Sequence, residues 1–180
     1  MSLYGGTVTT QGRNMIASLV AGEDLIITKV VFGSGKIPED TELIDMEDLV
    51  NPIATGTSDA PVSQGGIVSM VVEYRNDLNG GLKEGFWLNE FGIFAKTKKM
   101  PEILLYYATL GDSPQPVSAF RDNRIDVRRY PVAIEMVIEG EPQTAYAPGA
   151  FVTSEEFAEL HASHHKLLRE IMQGEVTANL

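Results

Sequence analysis

The sequence predicts an α+β fold: an antiparallel β-sheet body with a packed N-terminal helix, followed by a C-terminal helical oligomerisation stalk. Three observations predict it. Apolar residues recur with period two in several short stretches, most cleanly where Val132, Ile134, Met136 and Ile138 alternate with Ala133, Glu135, Val137 and Glu139. One early and one late stretch have helical spacing instead. Between the β-rich part and the late helix lies Gly140 to Ala150, a hinge-like segment containing Pro142, Pro148 and Gly149. The expected organisation is a body over 1–150 and a helix over 151–180.

In chain order, Thr9 to Ala21 reads as a short helix. Thr9 or Thr10 can cap it, Met15, Ile16, Leu19 and Val20 share a face, and Gly22 sits where a left-handed cap would be. Leu25 to Phe32 is β-branched and nearly all apolar, which predicts a strand buried on much of both faces. Gly33-Ser34-Gly35 ends it. An acidic stretch, Glu39 to Asp48, has room for one helical turn before Asn51-Pro52. Ile67 to Tyr74 is expected as a second strand with Val68, Met70, Val72 and Tyr74 on one face, and Asn79-Gly80-Gly81 as a turn beyond it. Phe86 to Ala95, Ile103 to Leu110 and Val132 to Glu139 complete a sheet of about five strands. Gly111 to Arg129 is polar, contains Pro114 and Pro116, and reads as a long surface loop.

The composition bounds the function. Hydrophobic residues make up 43% and charged residues 22% of the 180, as in an ordinary folded domain. The formal net charge of -11 is opposite to the basic footprint that phosphate binding requires, so nucleic acid is not an expected partner. There is no cysteine, which removes disulfides, thiolate nucleophiles and cysteine metal sites. Met1 to Gly6 has no basic region leading into an apolar run, so no secretion signal is expected, and no apolar stretch approaches the ~20 residues of a membrane span.

Chemical motifs are sparse. Gly33-Ser34-Gly35-Lys36 matches part of a phosphate loop, but Val30 stands where the first glycine belongs and Ile37 follows the lysine. All three histidines, His161, His164 and His165, lie on the late helix, so the body holds no histidine for a triad or a zinc site. Glu90 lies within an aromatic stretch. A carboxylate there is either a catalytic acid, as in a carbohydrate-binding or hydrolytic module, or an acceptor satisfied by backbone N–H groups in a turn, and the second is the expectation. Arg121, Arg124, Arg128 and Arg129 are interspersed with Asp122 and Asp126, which reads either as a docking patch or as a self-neutralising loop. No cofactor, metal site or enzymatic activity is expected.

The late helix, Thr153 to Gln173, opens on a capping box of Thr153 and Glu156 and stops at Gly174. Phe157, Leu160, His164, Leu167 and Ile171 follow the 3-4-3-4 spacing of a coiled-coil seam, widened by Leu168 and Met172. The helix would be roughly 30 Å long, and alone it is marginal in water. Its stripe needs either the body or copies of itself, and the expectation is self-association.

The segment Gly85-Phe86-Trp87-Leu88-Asn89-Glu90-Phe91-Gly92-Ile93-Phe94 resembles the Gly-Phe-Trp-x-x-Glu-x-Gly-Leu-Phe stretch of phage tail-collar fibre proteins. The upstream order is similar too: the Thr9–Ala21 helix, the strand ending in Val30-Val31-Phe32-Gly33-Ser34-Gly35, then Pro38 to Val50. The resemblance spans roughly 9–139. It implies an N-terminal, baseplate-proximal domain of a tail fibre, a structural virion component assembled in the bacterial cytoplasm and usually trimeric. Its implied partners are copies of itself, baseplate or tail proteins, and a further fibre chain. Gly85, Phe86, Trp87, Glu90 and Gly92 match the motif and are expected to define the fold, the aromatics supplying core area and Gly92 admitting a close neighbour. The shaft and receptor-binding tip of such fibres have no counterpart in these 180 residues, so a short adaptor, a prophage or bacteriocin-like remnant, or the start of a fibre continued by another chain is expected.

Overall fold

The structure is a computed structural model that describes residues 5–19, 24–122, 124–136 and 143–146. The chain opens with β1 (Gly5–Val8), α1 (Thr10–Ser18) and β2 (Asp24–Gly33). A 3-10 turn at Leu43–Asp45 precedes β3 (Pro52–Thr55), β4 (Thr57–Ser58) and β5 (Val62–Gln64). Next come β6 (Ile67–Arg75), a 3-10 turn at Leu78–Gly80, β7 (Phe86–Leu88) and β8 (Glu90–Lys96). Then follow β9 (Ile103–Thr109), β10 (Gln115–Val117), β11 (Val127–Glu135) and β12 (Gln143–Tyr146). The α+β class holds at its coarse level, as mostly antiparallel sheets with one packed helix among the described residues. The single sheet expected from the sequence is instead divided into sheets of six, four and two strands. The expected helix of 151–180 lies outside the described residues.

The six-stranded sheet runs β1-β9-β8-β2, and the far edge of β2 is shared by β12, parallel to it, and β3. The four-stranded sheet has β6 at its centre, with β11 along one side and β5 and β4 along the other. These two sheets face each other. Val68, Met70, Val72 and Tyr74 are each at most 4% exposed, on the face their alternation predicts. With Val132 and Ile134 of β11 and Met136 just beyond it they join Leu25, Ile27, Val30, Phe32, Phe91 and Ile93 in one core. Aromatic rings knit the two layers: Phe91 stacks on Tyr130 at 5.1 Å and Phe32 meets Tyr74 at 5.5 Å between centroids.

A bulge explains the unbroken apolar run of β2. Pairing passes from Ile27↔Ala95 to Lys29↔Phe94, which leaves Thr28 as an extra residue. The inward phase therefore moves from Leu25 and Ile27 to Val30 and Phe32. Lys29 is turned outward, 4.4 Å above the Phe94 ring and 2.7 Å from Glu102. The outer face of this sheet is covered as well. Met46 and Leu49 of the acidic segment pack on Phe94, Leu104 and Tyr107 in a second core. Burial on two sides is why β8 and β9 read as continuous apolar runs.

The helix is Thr10–Ser18, shorter than the Thr9–Ala21 expected. Leu19 is already extended and returns its N–H to Ile16, while Val20 and the predicted Gly22 cap lie outside the described residues. Met15, Ile16 and Leu19 are buried, as their spacing predicts. Thr9 is the cap: its Oγ1 accepts the Gly12 N–H at 2.9 Å and its hydroxyl donates to the Leu104 carbonyl at 2.5 Å. Its own N–H reaches the Leu105 carbonyl at 3.0 Å. Leu105 is the extra residue of a second bulge, where pairing passes from Ile93↔Tyr106 to Phe94↔Leu104. Gly12 rests on that same carbonyl, and a Cβ there would lie 3.1 Å from the Leu105 carbonyl carbon with its oxygen closer still. Gly→Ala in a helix ordinarily stabilises by up to ~1 kcal/mol. Gly12→Ala is expected to do the reverse and lower stability by about 1–3 kcal/mol, read as a lower urea midpoint; an unchanged or raised midpoint contradicts this packing.

Two sequence expectations are corrected. Phe86 to Ala95 is not one strand. Asn89 interrupts it, donating its N–H to the Gly33 carbonyl at 2.9 Å and accepting the Leu110 N–H at 2.7 Å, so β7 leaves the main sheet and pairs with β10. The supposed loop Gly111–Arg129 contains β10 and the start of β11. Its remainder is held by Asn76, which is fully buried. The Asn76 Nδ2 donates to the carbonyls of Ser118 at 3.0 Å and Arg124 at 3.2 Å, and its Oδ1 accepts the Asp126 N–H at 2.8 Å.

Candidate functional site

The residues singled out by the aromatic motif surround one buried carboxylate. Glu90 opens β8 opposite both Gly33 and Thr109 and is 0% exposed. Its Oε1 accepts the N–H of Gly35 at 2.9 Å and of Asn51 at 2.7 Å. Its Oε2 accepts the N–H of Val50 at 3.0 Å and the hydroxyl of Tyr107 at 2.8 Å. Four donors occupy the two oxygens, so the ion is held as an acceptor within the fold. Burial first, and then the adjacent Glu90 carboxylate, push the Tyr107 hydroxyl far above its ordinary 10.0, so it remains a donor. The expected alternative for Glu90, satisfaction by backbone N–H groups, is the arrangement present.

The glycines of the supposed phosphate-loop fragment make room for this knot. A Cβ on Gly33 would lie 2.6 Å from Glu90 Oε1, and one on Gly35 would lie 2.8 Å from the Asn51 nitrogen and closer to the carboxylate. Gly33-Ser34-Gly35 is therefore a turn wrapped on Glu90. Gly92 has the role expected of it: a Cβ would meet Leu104 Cδ1 at 2.6 Å and Leu49 Cδ1 at 2.7 Å, which ties β8 to the second core. Gly85 lies against the Val117 carbonyl, where a Cβ would approach to 2.7 Å, and so permits the β7–β10 ladder.

The expectation that both motif aromatics supply core area is half corrected. Phe86 packs on the core and meets the Tyr74 ring edge-on at 5.6 Å. Trp87 points the other way, opposite Pro116, and is 60% exposed. Alternation along β7 sends Leu88 inward and Trp87 outward, onto the uncovered face of a two-stranded sheet. Two of the four arginines of the cluster are paired, one of them within it. Arg128 pairs with Asp126 and donates to the Pro116 carbonyl at 2.6 Å, and Arg129 pairs with Glu73, its cross-strand partner, which is 1% exposed.

Sequence reasoning missed Tyr107, Val50, Asn51 and Asn76. The two backbone donors carry no side-chain signature. Tyr107 had one: a tyrosine amid the aliphatics of β9 needs a hydroxyl partner. The seam residues Phe157, Leu160, His164, Leu167 and Ile171 lie outside the described residues, as do all three histidines. Among the described residues no group of three or more His, Cys, Asp or Glu is placed to hold a metal ion, and no helix is long and apolar enough to cross a membrane. Compared with protein-family models, curated proteins and solved structures, the chain finds no match.

Proposed function

We propose that this chain is a structural, non-enzymatic adaptor of a phage or prophage tail, a fibre or baseplate component that self-associates and docks to the tail. The observation that carries the reading is the use made of the Gly85–Phe94 stretch. Its carboxylate is spent on tying the fold together, and its tryptophan is left on the surface, where large aromatics anchor protein contacts. A buried and saturated Glu90 also favours this reading over a carbohydrate-binding or hydrolytic module, whose acid must reach a substrate. Self-association rests on the seam Phe157, Leu160, His164, Leu167 and Ile171, with a trimer as the expected stoichiometry. Baseplate or tail proteins and a further fibre chain are the proposed partners, and the virion tail the proposed location, after assembly in the host cytoplasm.

Light scattering on the eluting full chain tests the seam. The expected mass is three times the 19.7 kDa of one chain, falling to one chain when Leu160 and Leu167 are both changed to Asp. A wild-type chain that elutes as a monomer at micromolar concentration would end the proposal.

A further inference from the structure

The two facing sheets meet differently along their two sides. On one side the chain itself joins them, passing from β3 to β4 through Gly56, whose N–H reaches the Val30 carbonyl at 2.9 Å. On the other side each sheet ends in a strand with no neighbour beyond it among the described residues, β1 in one and β11 in the other. A cleft of about 580 Å³ opens between these two edges. Val8, Ile16, Ala17 and Tyr106 give it an apolar wall, and Arg13 and Glu135 are the charges that line it. Clefts of this size, mostly apolar with a few polar groups, are where proteins take ligands.

The β11 rim has a defined set of free backbone groups. Its pairing with β6 runs without a shift from Val127↔Arg75 to Glu135↔Ile67. Just outside the two ends, the Asn76 N–H reaches the Asp126 carbonyl at 3.1 Å and the Met136 N–H reaches the Gly66 carbonyl at 2.6 Å. Between them Val71 gives its N–H to the Asp59 carboxylate and accepts the Asp59 N–H at 3.0 Å, away from β11. Alternation therefore points the backbone groups of Val132 and Ile134 at β6, and those of Pro131, Ala133 and Glu135 at the open edge. Pro131 has no N–H to offer, which ends the usable edge on its side. Ala133 and Glu135, both exposed and both lining the cleft, are left with ladder groups and no strand to bond.

We propose that this cleft docks an extended segment of a partner protein, added to β11 as an edge strand along Ala133 and Glu135, with an apolar side chain on the Tyr106 ring and a carboxylate on Arg13. The backbone groups of the edge supply affinity and the cleft wall supplies side-chain preference. Tyr106 is stacked on Phe91 at 6.2 Å between centroids, so its ring is a fixed floor. Its hydroxyl makes no hydrogen bond among the described residues, and burial pushes it above its ordinary 10.0, so it remains a donor. Arg13 and Glu135 make no ion pair among the described residues. An acid on the occupant complements the first, and a base complements the second. The inference deepens the docking to the tail proposed above, and rests on it for the kind of partner.

A ribosome-displayed library of random dodecapeptides, selected on the full-length chain, supplies the probe. Selected peptides are expected to alternate apolar and polar residues, to carry an Asp or Glu, and to slow hydrogen exchange of residues 132–136. They are expected to bind A133P about tenfold more weakly, because proline removes an outward N–H. Pro131 already occupies the same phase of this edge, so the sheet accepts the change. R13E alters an exposed side chain; it is expected to weaken the peptides about tenfold and to recover affinity when their acid is changed to Lys. Equal binding to the wild-type chain, A133P and R13E overturns the proposal, as does a selection with no shared pattern. Slow exchange of 132–136 in the wild-type chain alone also overturns it, in favour of a second copy if the protection falls on dilution and of the same chain if it does not. The mass test of the seam is separate: a trimer with an empty cleft loses only this inference, and a monomer that binds the peptides loses only the self-associating adaptor.

Discussion

Replacing Glu90 with alanine is expected to unfold the body or to remove about 5 kcal/mol of stability, the largest effect of any single change considered. Three backbone N–H groups, of Gly35, Val50 and Asn51, and the Tyr107 hydroxyl would lose their acceptor inside the protein. Each buried donor left unpaired costs about 1–3 kcal/mol, and the deleted side chain leaves a cavity as well. Domains of this size have about 5–15 kcal/mol to lose. Glu90→Gln is the sharper variant. It keeps the volume, but its amide group turns N–H donors onto positions now held by N–H donors, and a loss of about 3 kcal/mol is expected. Urea unfolding followed by circular dichroism measures both. A Glu90→Gln chain that unfolds at the wild-type urea concentration would remove the structural role of this carboxylate and reopen the catalytic one.

Asn76→Ala is expected to cost about 3–4 kcal/mol and to release the segment from Ser118 to Asp126. The side chain donates to two carbonyls and accepts one N–H with no exposed surface, so alanine strands three backbone groups at once. Asn76→Asp tests the geometry without removing volume, because its oxygens would face the Ser118 and Arg124 carbonyls. It is expected to be at least as destabilising as alanine. Hydrogen exchange should rise selectively for residues 118–126 in both variants. A uniform rise across β6 and β11 would mean that Asn76 supports the sheet and not the loop.

What the sequence made legible follows from how each signal is encoded. Period two placed β6 and β11, because Val68 to Tyr74 and Val132 to Met136 face a single core. The helix face of Met15, Ile16 and Leu19 was equally plain. The break at Asn89 was invisible, because Phe86-Trp87-Leu88 and Phe91 to Ala95 are both apolar and a change of sheet leaves no trace in hydropathy. The bulges at Thr28 and Leu105 were hidden for a related reason. An extra residue in a run buried on both sides changes the phase without changing the composition. For the candidate site, Glu90 stood out as a charge among aromatics, and the need for a partner could be stated in advance. The identity of its donors could not, since Val50 and Asn51 contribute main-chain atoms brought close only by the tertiary fold.

The segment from Gly35 to Asn51 begins and ends on one oxygen atom, Glu90 Oε1. It is thus closed at its neck, and the entropy of joining its ends changes only slowly with its length. Met46 and Leu49 fasten its second half, while Pro38, Glu39, Asp40 and Glu42 are exposed. The outer half is accordingly a replaceable cassette: foreign sequence grafted at its crest would leave the clasp beneath it, and the sheets below, undisturbed.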